Sequence, residues 1–400
     1  MRVAIVTTFY PPYNFGGDGQ YVRRLAHALA ARGHQVEIIH ESDAYRLLGN
    51  KKELKPADEP GGVTVHRLKS AMPALSCLAT QQFGAPLVQG RRIKEILSRN
   101  FDVIHYHNIS LVGGPGVLRI GDAVKIYTAH EHWLVCPMHI LWKDNREPCN
   151  KKACIACSLK HHRPPQLWRY SPLLERAGRH VDAFLALSEF SAQKHKEYGF
   201  AFPMRVMGSF LPAAPLATSP ENQTRPYFLL VGRLEAIKGF QDVIPVFDES
   251  TPADLLIAGE GNFGAELREL AKNRPSVKFL GTQTPEQLRA LYRGARALIA
   301  PSRCYEVFPL VLLEAFQQET PAIARDLGPY PEIIRTSKGG ALFRDEQSLR
   351  QAISEFTKQD GPRDAMGREA RGVFDALWSE DVALKNYLDL VEELKTRKNA

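Results

Sequence analysis

The sequence predicts an α/β protein of two domains, each built on a parallel sheet. Three observations carry that prediction. Short apolar runs of strand length alternate with helical patterns along the chain, the mark of strand–helix–strand crossovers. Glycines stand just past several of those runs, as at Gly232, Gly259 and Gly281, where open α/β sheets bind ligands. Between Gly208 and Pro226 lie four prolines and polar filler, which read as an interdomain linker.

The elements follow in order. Val3 to Thr7 is a first strand. A loop rich in Pro, Gly and Asn, with Gly16-Gly17, precedes a helix that sets Tyr21, Val22, Leu25, Ala26 and Leu29 on one face. Gly33 suits the left-handed position past its end. Val36 to Ile39 is the next strand. Residues 40–80 read as irregular, with a hairpin at Gly61-Gly62 leading into Val63-Thr64-Val65-His66. A helix is predicted from Pro86, with Leu87, Val88, Ile93, Ile96 and Leu97 apolar and Arg91, Arg92, Lys94 and Arg99 on other faces. That basic amphipathic pattern suits an anionic membrane surface and also a plain solvated face.

Val103 to His107 and Lys125 to His130 are further strands, each ending in histidine. Placement at a strand's carboxyl end favours a binding role for His130; His107 stays open between binding and structure. Arg169 to Arg179 reads as a helix and Ala183 to Leu187 as a strand, with Ser188 capping the next helix. Tyr227 to Val231 opens the second domain, followed by Gly232-Arg233 and Lys238-Gly239. Leu255 to Ala258 leads into Gly259-Glu260-Gly261, and Val277 to Leu280 into Gly281. Thr284-Pro285-Glu286-Gln287 is a capping box with proline at the first helical position. A last helix from Glu380 to Thr396 has a wide apolar face to bury.

The 400 residues are enough for two cores. No apolar run approaches the ~20 residues that span a bilayer, and the run after Met1-Arg2 is too short for a signal peptide. The expected location is therefore cytoplasmic, with room for contact at the inner face of the plasma membrane. A net charge of +8 favours acidic partners such as nucleotide diphosphates, anionic lipids or nucleic acid.

The chemistry concentrates in Cys304-Tyr305-Glu306-Val307-Phe308-Pro309-Leu310 and the run that follows to Phe316. Ala297 to Ala300 reads as a buried strand, so Glu306 falls at its carboxyl end. Glu314 falls inside an apolar helix, where a solvated face is hard to find. Such carboxylates suit sugar or ribose hydroxyls better than phosphate, which they repel. Arg233 and Lys238 supply the positive charge that a departing diphosphate needs. No Asp-x-Asp stands at a strand end to hold a divalent ion.

Glu306 to Glu314, with Thr320 to Ala324 and Gly328 to Ile334, resembles the E-x7-E region of retaining, nucleotide-sugar-dependent glycosyltransferases of family 4. The resemblance extends over most of the chain. It implies the GT-B fold: two Rossmann-like, doubly wound parallel-sheet domains facing a cleft. The implied domains are 1–208, on the acceptor side and carrying a Cys-rich insert at 136–162, and 227–375, which binds the nucleotide sugar. Residues 209–226 join them, and 376–400 form a helix crossing back to the first. The resemblance also implies transfer from a UDP- or GDP-sugar to a glycan or lipid-linked acceptor, as in cell-envelope polysaccharide synthesis, without a catalytic metal. Arg233 and Lys238 then bind the diphosphate, Glu306 and His130 meet the donor sugar, and Glu314 holds the ribose. Gly16, Gly17 and Gly232 admit the donor's phosphates. Gly259, Gly261 and Gly281 cradle the base, while Val307, Phe308 and Leu310 complete the donor loop. The chain departs from the family at Pro309 and at Pro329-Tyr330, each of which replaces a glycine. An epimerase or a phosphorylase of the same fold is an alternative.

Cys136, Cys149, Cys154 and Cys157 are spaced C-x12-C-x4-C-x2-C. In a reducing compartment that cluster suggests a structural zinc held by four thiolates. With the charge, it also admits a zinc-bearing nucleic-acid binder, a reading that leaves Arg233, Lys238, Glu306 and Glu314 unexplained; nucleic acid is therefore not an expected partner.

Overall fold

The computed structural model describes residues 1–48, 54–144, 146–150, 152–220, 225–358 and 363–399. Lys151 of the Cys-rich insert and residues 221–224 of the linker lie outside them. The chain divides into two units. One comprises residues 1–141, 150–209 and 383–400; the other comprises 142–149 and 210–382.

The first unit holds β1 (Arg2–Thr7), β2 (Gln35–Glu41), β3 (Val63–Leu68), β4 (Val103–Tyr106) and β5 (Val124–Ala129). A short hairpin of β6 (Trp142–Lys143) and β7 (Glu147–Pro148) groups with the second unit. The first sheet is completed by β8 (Ala183–Ala186) and β9 (Met204–Val206). Its order is β3-β2-β1-β4-β5-β8-β9, and its strand pairs are parallel. β1, β4, β5 and β8 are almost wholly buried, which is why they read as largely apolar runs, with His105 in β4 and Lys125 and Thr128 in β5 buried among them.

The second unit holds β10 (Tyr227–Val231), β11 (Asp254–Ala258), β12 (Val277–Gly281), β13 (Leu298–Ala300), β14 (Ala322–Arg325) and β15 (Gly340–Phe343). These form a parallel sheet in the order β12-β11-β10-β13-β14-β15. Alternate residues serve its two faces: Leu229, Leu298 and Ala300 pack in one core, and Phe228, Leu230 and Ile299 in the other. Both units are thus Rossmann-like and doubly wound. In each sheet the order reverses beside the first strand, between β1 and β4 and between β10 and β13, and a crevice opens at such a point.

Two helix caps take the form read from the sequence. Ser188 accepts from the Ser191 amide at 3.1 Å, and Thr284 and Gln287 form a reciprocal box with Pro285 in the first turn. Four local expectations fail. β3 pairs with β2 in parallel, so Gly61-Gly62 makes a turn but no hairpin. Residues 40–80 contain helices Ser42–Leu48 and Pro73–Phe83 besides β3. The helix expected from Pro86 begins at Gly90, leaving Leu87 and Val88 exposed. Arg169 to Arg179 breaks into a 3-10 turn, Leu167–Tyr170, and a helix, Leu173–Gly178, because Pro172 interrupts it. The last helix, Glu380–Asn399, packs within the first unit from Ala383 on. There Glu393 takes a two-pronged bond from Arg205, Lys395 reaches Asp102 at 3.0 Å, and Tyr387 stacks on His105. No helix among the described residues is long and apolar enough to cross a membrane.

Among the described residues of the first unit five histidines are buried: His40, His105, His107, His132 and His195. Burial disfavours the charged ring and lowers all five, with His40, His105 and His132 down to about 3. The unfolded chain takes up these protons near the ordinary 6.5 and the folded chain does not. The contribution to stability is therefore present above about pH 6.5 and lost as pH falls, by ~1.4 kcal/mol per unit for each ring. Glu41, pushed up to about 8 by burial, and Asp18, raised by burial, work in the opposite direction, but as two protons against five. The urea midpoint of the first unit's unfolding is expected to drop steeply between pH 6.5 and 5. A midpoint flat across that range would show that the rings are not held neutral.

Candidate functional site

The second unit brings Lys238 and Glu306 together across the point where its strand order reverses. The loop after β10 carries Gly232, Arg233 and Lys238, and the loop after β13 carries Ser302 to Glu306. Lys238 Nζ lies 2.7 Å from Glu306 Oε1, and the Ser302 hydroxyl donates to the same oxygen at 3.0 Å. The contact depends on Gly239. It sits at φ +76°, and a Cβ there would come within 2.0 Å of the Pro301 carbonyl oxygen. Only a glycine lets the two loops press so close.

Burial works to raise the Glu306 carboxyl, but the Lys238 charge and the bonds from Lys238 and Ser302 outweigh it and hold it below the usual range. The Glu306 charge in turn lifts Lys238. Tyr330 is buried beside them and is pushed well up, first by burial and then by the Glu306 charge. Ser302 and Tyr330 belong to this pocket; Ser302 was not read as a site residue, because a lone serine carries no local signal, and Tyr330 stands out in the sequence only as a departure from the resembled family.

The other expected residues distribute as follows. Arg233 is exposed and pairs with Glu235 at 2.8 Å. Gly259, at φ +135°, lies so close to β10's end that a Cβ would be 2.0 Å from the Gly232 carbonyl oxygen, and its amide bonds to Gly281 at 2.8 Å. Gly232, Gly259 and Gly281 thus end or follow three neighbouring strands, with Gly261 against Leu234. Val307 is buried, and Phe308 and Leu310 are half-buried at the start of the helix Leu310–Gln317. Glu314 accepts the Tyr292 hydroxyl at 2.8 Å.

The first unit has its own polar centre at its own reversal point. Gly16 caps the helix Gly17–Ala31 in extended conformation, and Asp18 lies in that helix's first turn. Asp18 accepts from the Gly19 amide at 2.8 Å and from the Asn108 amide at 3.2 Å. Burial and the Glu131 charge raise its carboxyl. Beside it, His107 Nδ1 and His130 Nε2 are 2.8 Å apart, with Tyr21 against both rings. The His105 ring, on β4 two residues before His107, lies 4.1 Å from it, tilted by 37°.

The expected zinc site is not assembled. Among the described residues no group of three or more His, Cys, Asp or Glu side chains stands close enough to hold a metal. Cys154 and Cys157 lie on the helix Cys154–Lys160, Cys136 is buried, and Cys149 belongs to the hairpin segment that groups with the second unit. The base of the insert is held instead by Arg169. Its guanidinium donates to the Trp133 and Leu134 carbonyls and lies over the Trp168 and Trp133 rings, at 4.5 and 5.2 Å. A local spacing of cysteines could not reveal that anchor.

The histidine pair specifies a tautomer. Among the described residues His107 Nε2 is buried with no hydrogen-bond partner. A buried orphan N–H is a worse defect than an orphan lone pair, so the His107 proton sits on Nδ1 and is donated to His130 Nε2. Burial pushes His130 down to about 3, so its ring is neutral and carries its own proton on Nδ1. Long-range proton–nitrogen NMR on the histidine-labelled protein should find that tautomer at His130, and His107→Phe should shift it toward the usual Nε2–H form. A His130 signal of the Nε2–H form in the parent protein would refute the assignment.

Comparison with known proteins follows the same division of the chain. The model of Glycosyltransferase Family 4 matches residues 15–208, and that of Glycosyl transferases group 1 matches residues 216–373. The uncharacterized glycosyltransferase MJ1607 of Methanocaldococcus jannaschii is 36% identical over 354 residues, covering 85% of this chain and 84% of that one. Exopolysaccharide phosphotransferase SCO2592 of Streptomyces coelicolor is 32% identical over 254 residues; the match covers 60% of this chain and about a quarter (26%) of that relative's length. Among solved structures, Anabaena Alr3699/HepE in complex with UDP and glucose superposes with a TM-score of 0.68 at 16% identity, covering 98% of this chain and all of that one. The chain belongs to the GT-B glycosyltransferases, its two halves matching Family 4 and group 1.

Proposed function

We propose that this glycosyltransferase moves a sugar from a UDP- or GDP-sugar to a glycan or lipid-linked acceptor in cell-envelope polysaccharide synthesis. Transfer retains the anomeric configuration and uses no catalytic metal. The observation that carries the reading is the Lys238–Glu306 pair at the ends of β10 and β13. A lysine held beside a carboxylate can exchange that partner for a departing diphosphate without crossing water. The solved relative from Anabaena is a complex with UDP and glucose, which suits a nucleoside diphosphate as the leaving group.

In this reading the bond from the anomeric carbon to the phosphate oxygen breaks, and one to the acceptor oxygen forms on the same face. The acceptor's proton passes to the leaving phosphate. Lys238 and Arg233 stabilise the charge that develops there, Arg233 by giving up Glu235. The amides opening the helix Leu310–Gln317 add to that field. Glu306 turns to the donor sugar's hydroxyls and Glu314 to the ribose. The glycines Gly232, Gly259, Gly261 and Gly281 leave room for phosphates and base. In the first unit His130 serves the sugar. Gly16 and Gly17 admit the reactants, and the Asp18 carboxylate beside them suits a hydroxyl better than a phosphate.

Screening UDP- and GDP-sugars by thermal shift should find one that stabilises the protein by several degrees, as ligand at ~100 times its dissociation constant does. Transfer of that sugar to an added acceptor should persist in EDTA, with the product's anomeric proton coupling matching the donor's. Activity that vanishes in EDTA and returns with magnesium would overturn the metal-free reading. An isomerised donor formed without acceptor would overturn transfer.

A further inference from the structure

The helix Pro73–Phe83 is turned inside out. It buries Ser76, Cys77 and Thr80, while Leu75, Leu78 and Phe83 are 49%, 45% and 63% exposed. A helix that serves only its own domain does the reverse, burying its large apolar residues and exposing hydroxyls. Met72 before it and Leu87 and Val88 after it are exposed as well.

A second segment lies alongside. The Gln81 and Gln82 side-chain amides donate to the Pro164 and Pro165 carbonyls, at 3.1 and 2.8 Å. These bonds hold the stretch that runs from the helix Cys154–Lys160 into the turn Leu167–Tyr170, and that stretch exposes Ile155, Leu159, Leu167 and Tyr170. Ten large apolar side chains thus stand in water on two segments tied together, more than the scattered single exposures of an ordinary surface.

The charge around them is one-sided. A groove of about 370 Å³ between Phe83 and Leu167 is also lined by Arg119 and Arg176, both exposed, and by no acidic residue. Residues 152–170 contain no Asp or Glu, and Lys160 and Arg163 lie among them. On the helix Gly90–Leu97, Arg91, Arg92 and Lys94 are exposed, against the single acid Glu95. Glu175, beside Arg176 in sequence, is paired with Arg179.

We propose that this face of the first unit lies on an anionic lipid bilayer. Phe83, Leu167 and their neighbours enter the boundary between headgroups and acyl chains, and Arg119 and Arg176 take lipid phosphates. The charge decides the occupant. An apolar patch alone would suit a second copy of the chain, but a second copy brings the same cations, and like charges at a contact are repulsive. This docking is separate from the sugar chemistry, although a lipid-linked acceptor would be presented at the same surface.

The test is sedimentation of the full chain with vesicles, without any nucleotide sugar, so that its outcome does not depend on the transfer reading. Vesicles of phosphatidylcholine with about one-third phosphatidylglycerol, in about 0.1 M salt, should carry the protein down, and pure phosphatidylcholine should do so at least tenfold less. The double variants Phe83→Ser/Leu167→Ser and Arg119→Gln/Arg176→Gln should each weaken binding by roughly tenfold or more. Thermal midpoints close to the parent's would show that the variants fold, since these side chains are exposed. Equal sedimentation of parent and both variants would overturn the proposal. So would a dimer by light scattering that Phe83→Ser/Leu167→Ser disperses, in a protein that ignores vesicles.

Discussion

The second unit turns on one ion pair, formed by residues 68 positions apart. Removing Lys238 and Glu306 from water is costly, and the attraction between them only roughly offsets that cost. The pair is therefore a poor device for stability. Its value is that neither charge can be deleted cheaply, so each holds the other at the strand ends until something else binds. Lys238, with the serine hydroxyl on the same carboxylate oxygen, keeps the glutamate ionised and oriented.

Topology is what makes the pair meet. β10 and β13 are not consecutive, but the parallel order sets them side by side, and the crossover that separates them in sequence returns the chain to the same edge. The first unit repeats the device with different chemistry. β1 and β4 adjoin in the same way; the helix after β1 brings Asp18 to Asn108 in the loop after β4, while His107, just past the end of β4, meets His130, just past the end of β5. One reversal point gathers opposite charges; the other gathers neutral rings and hydroxyl acceptors. Histidines buried in this way are an acid liability, and three of them in ring contact, with Tyr387 stacked on His105, mark a place where polarity outranks stability.

Much of this was legible in the sequence, for physical reasons. Strands buried on both faces write themselves as largely apolar runs, so β1, β5, β10 and β11 could be read directly. Ser188 and Thr284 were legible because a cap is a local contact. Long-range facts were not. Gly61-Gly62 signals a turn, but whether the next strand pairs backward or across is decided elsewhere, and here β3 runs parallel to β2. The helix Pro73–Phe83 escaped notice because its apolar residues face outward, and a pattern search assumes that they face in. The cysteines misled because spacing gives the reach of the chain between thiols but not whether they converge; an arginine between two tryptophans anchors that region. Lys238 and Glu306 were both picked out, yet their contact rests on Gly239 and Pro301, which no local signal joins.

The central claim is that Lys238 is a diphosphate contact kept ready by Glu306. Calorimetric titration of UDP and GDP against the parent, Lys238→Met and Glu306→Gln tests it most directly. Lys238→Met should weaken the preferred nucleotide by about tenfold or more, because a charge-assisted contact is lost. Glu306→Gln should bind it as well as the parent or better, since the ammonium no longer has an internal rival, while turnover falls by roughly a hundredfold. Unchanged nucleotide affinity in Lys238→Met, or an equal loss in both variants, would contradict the account.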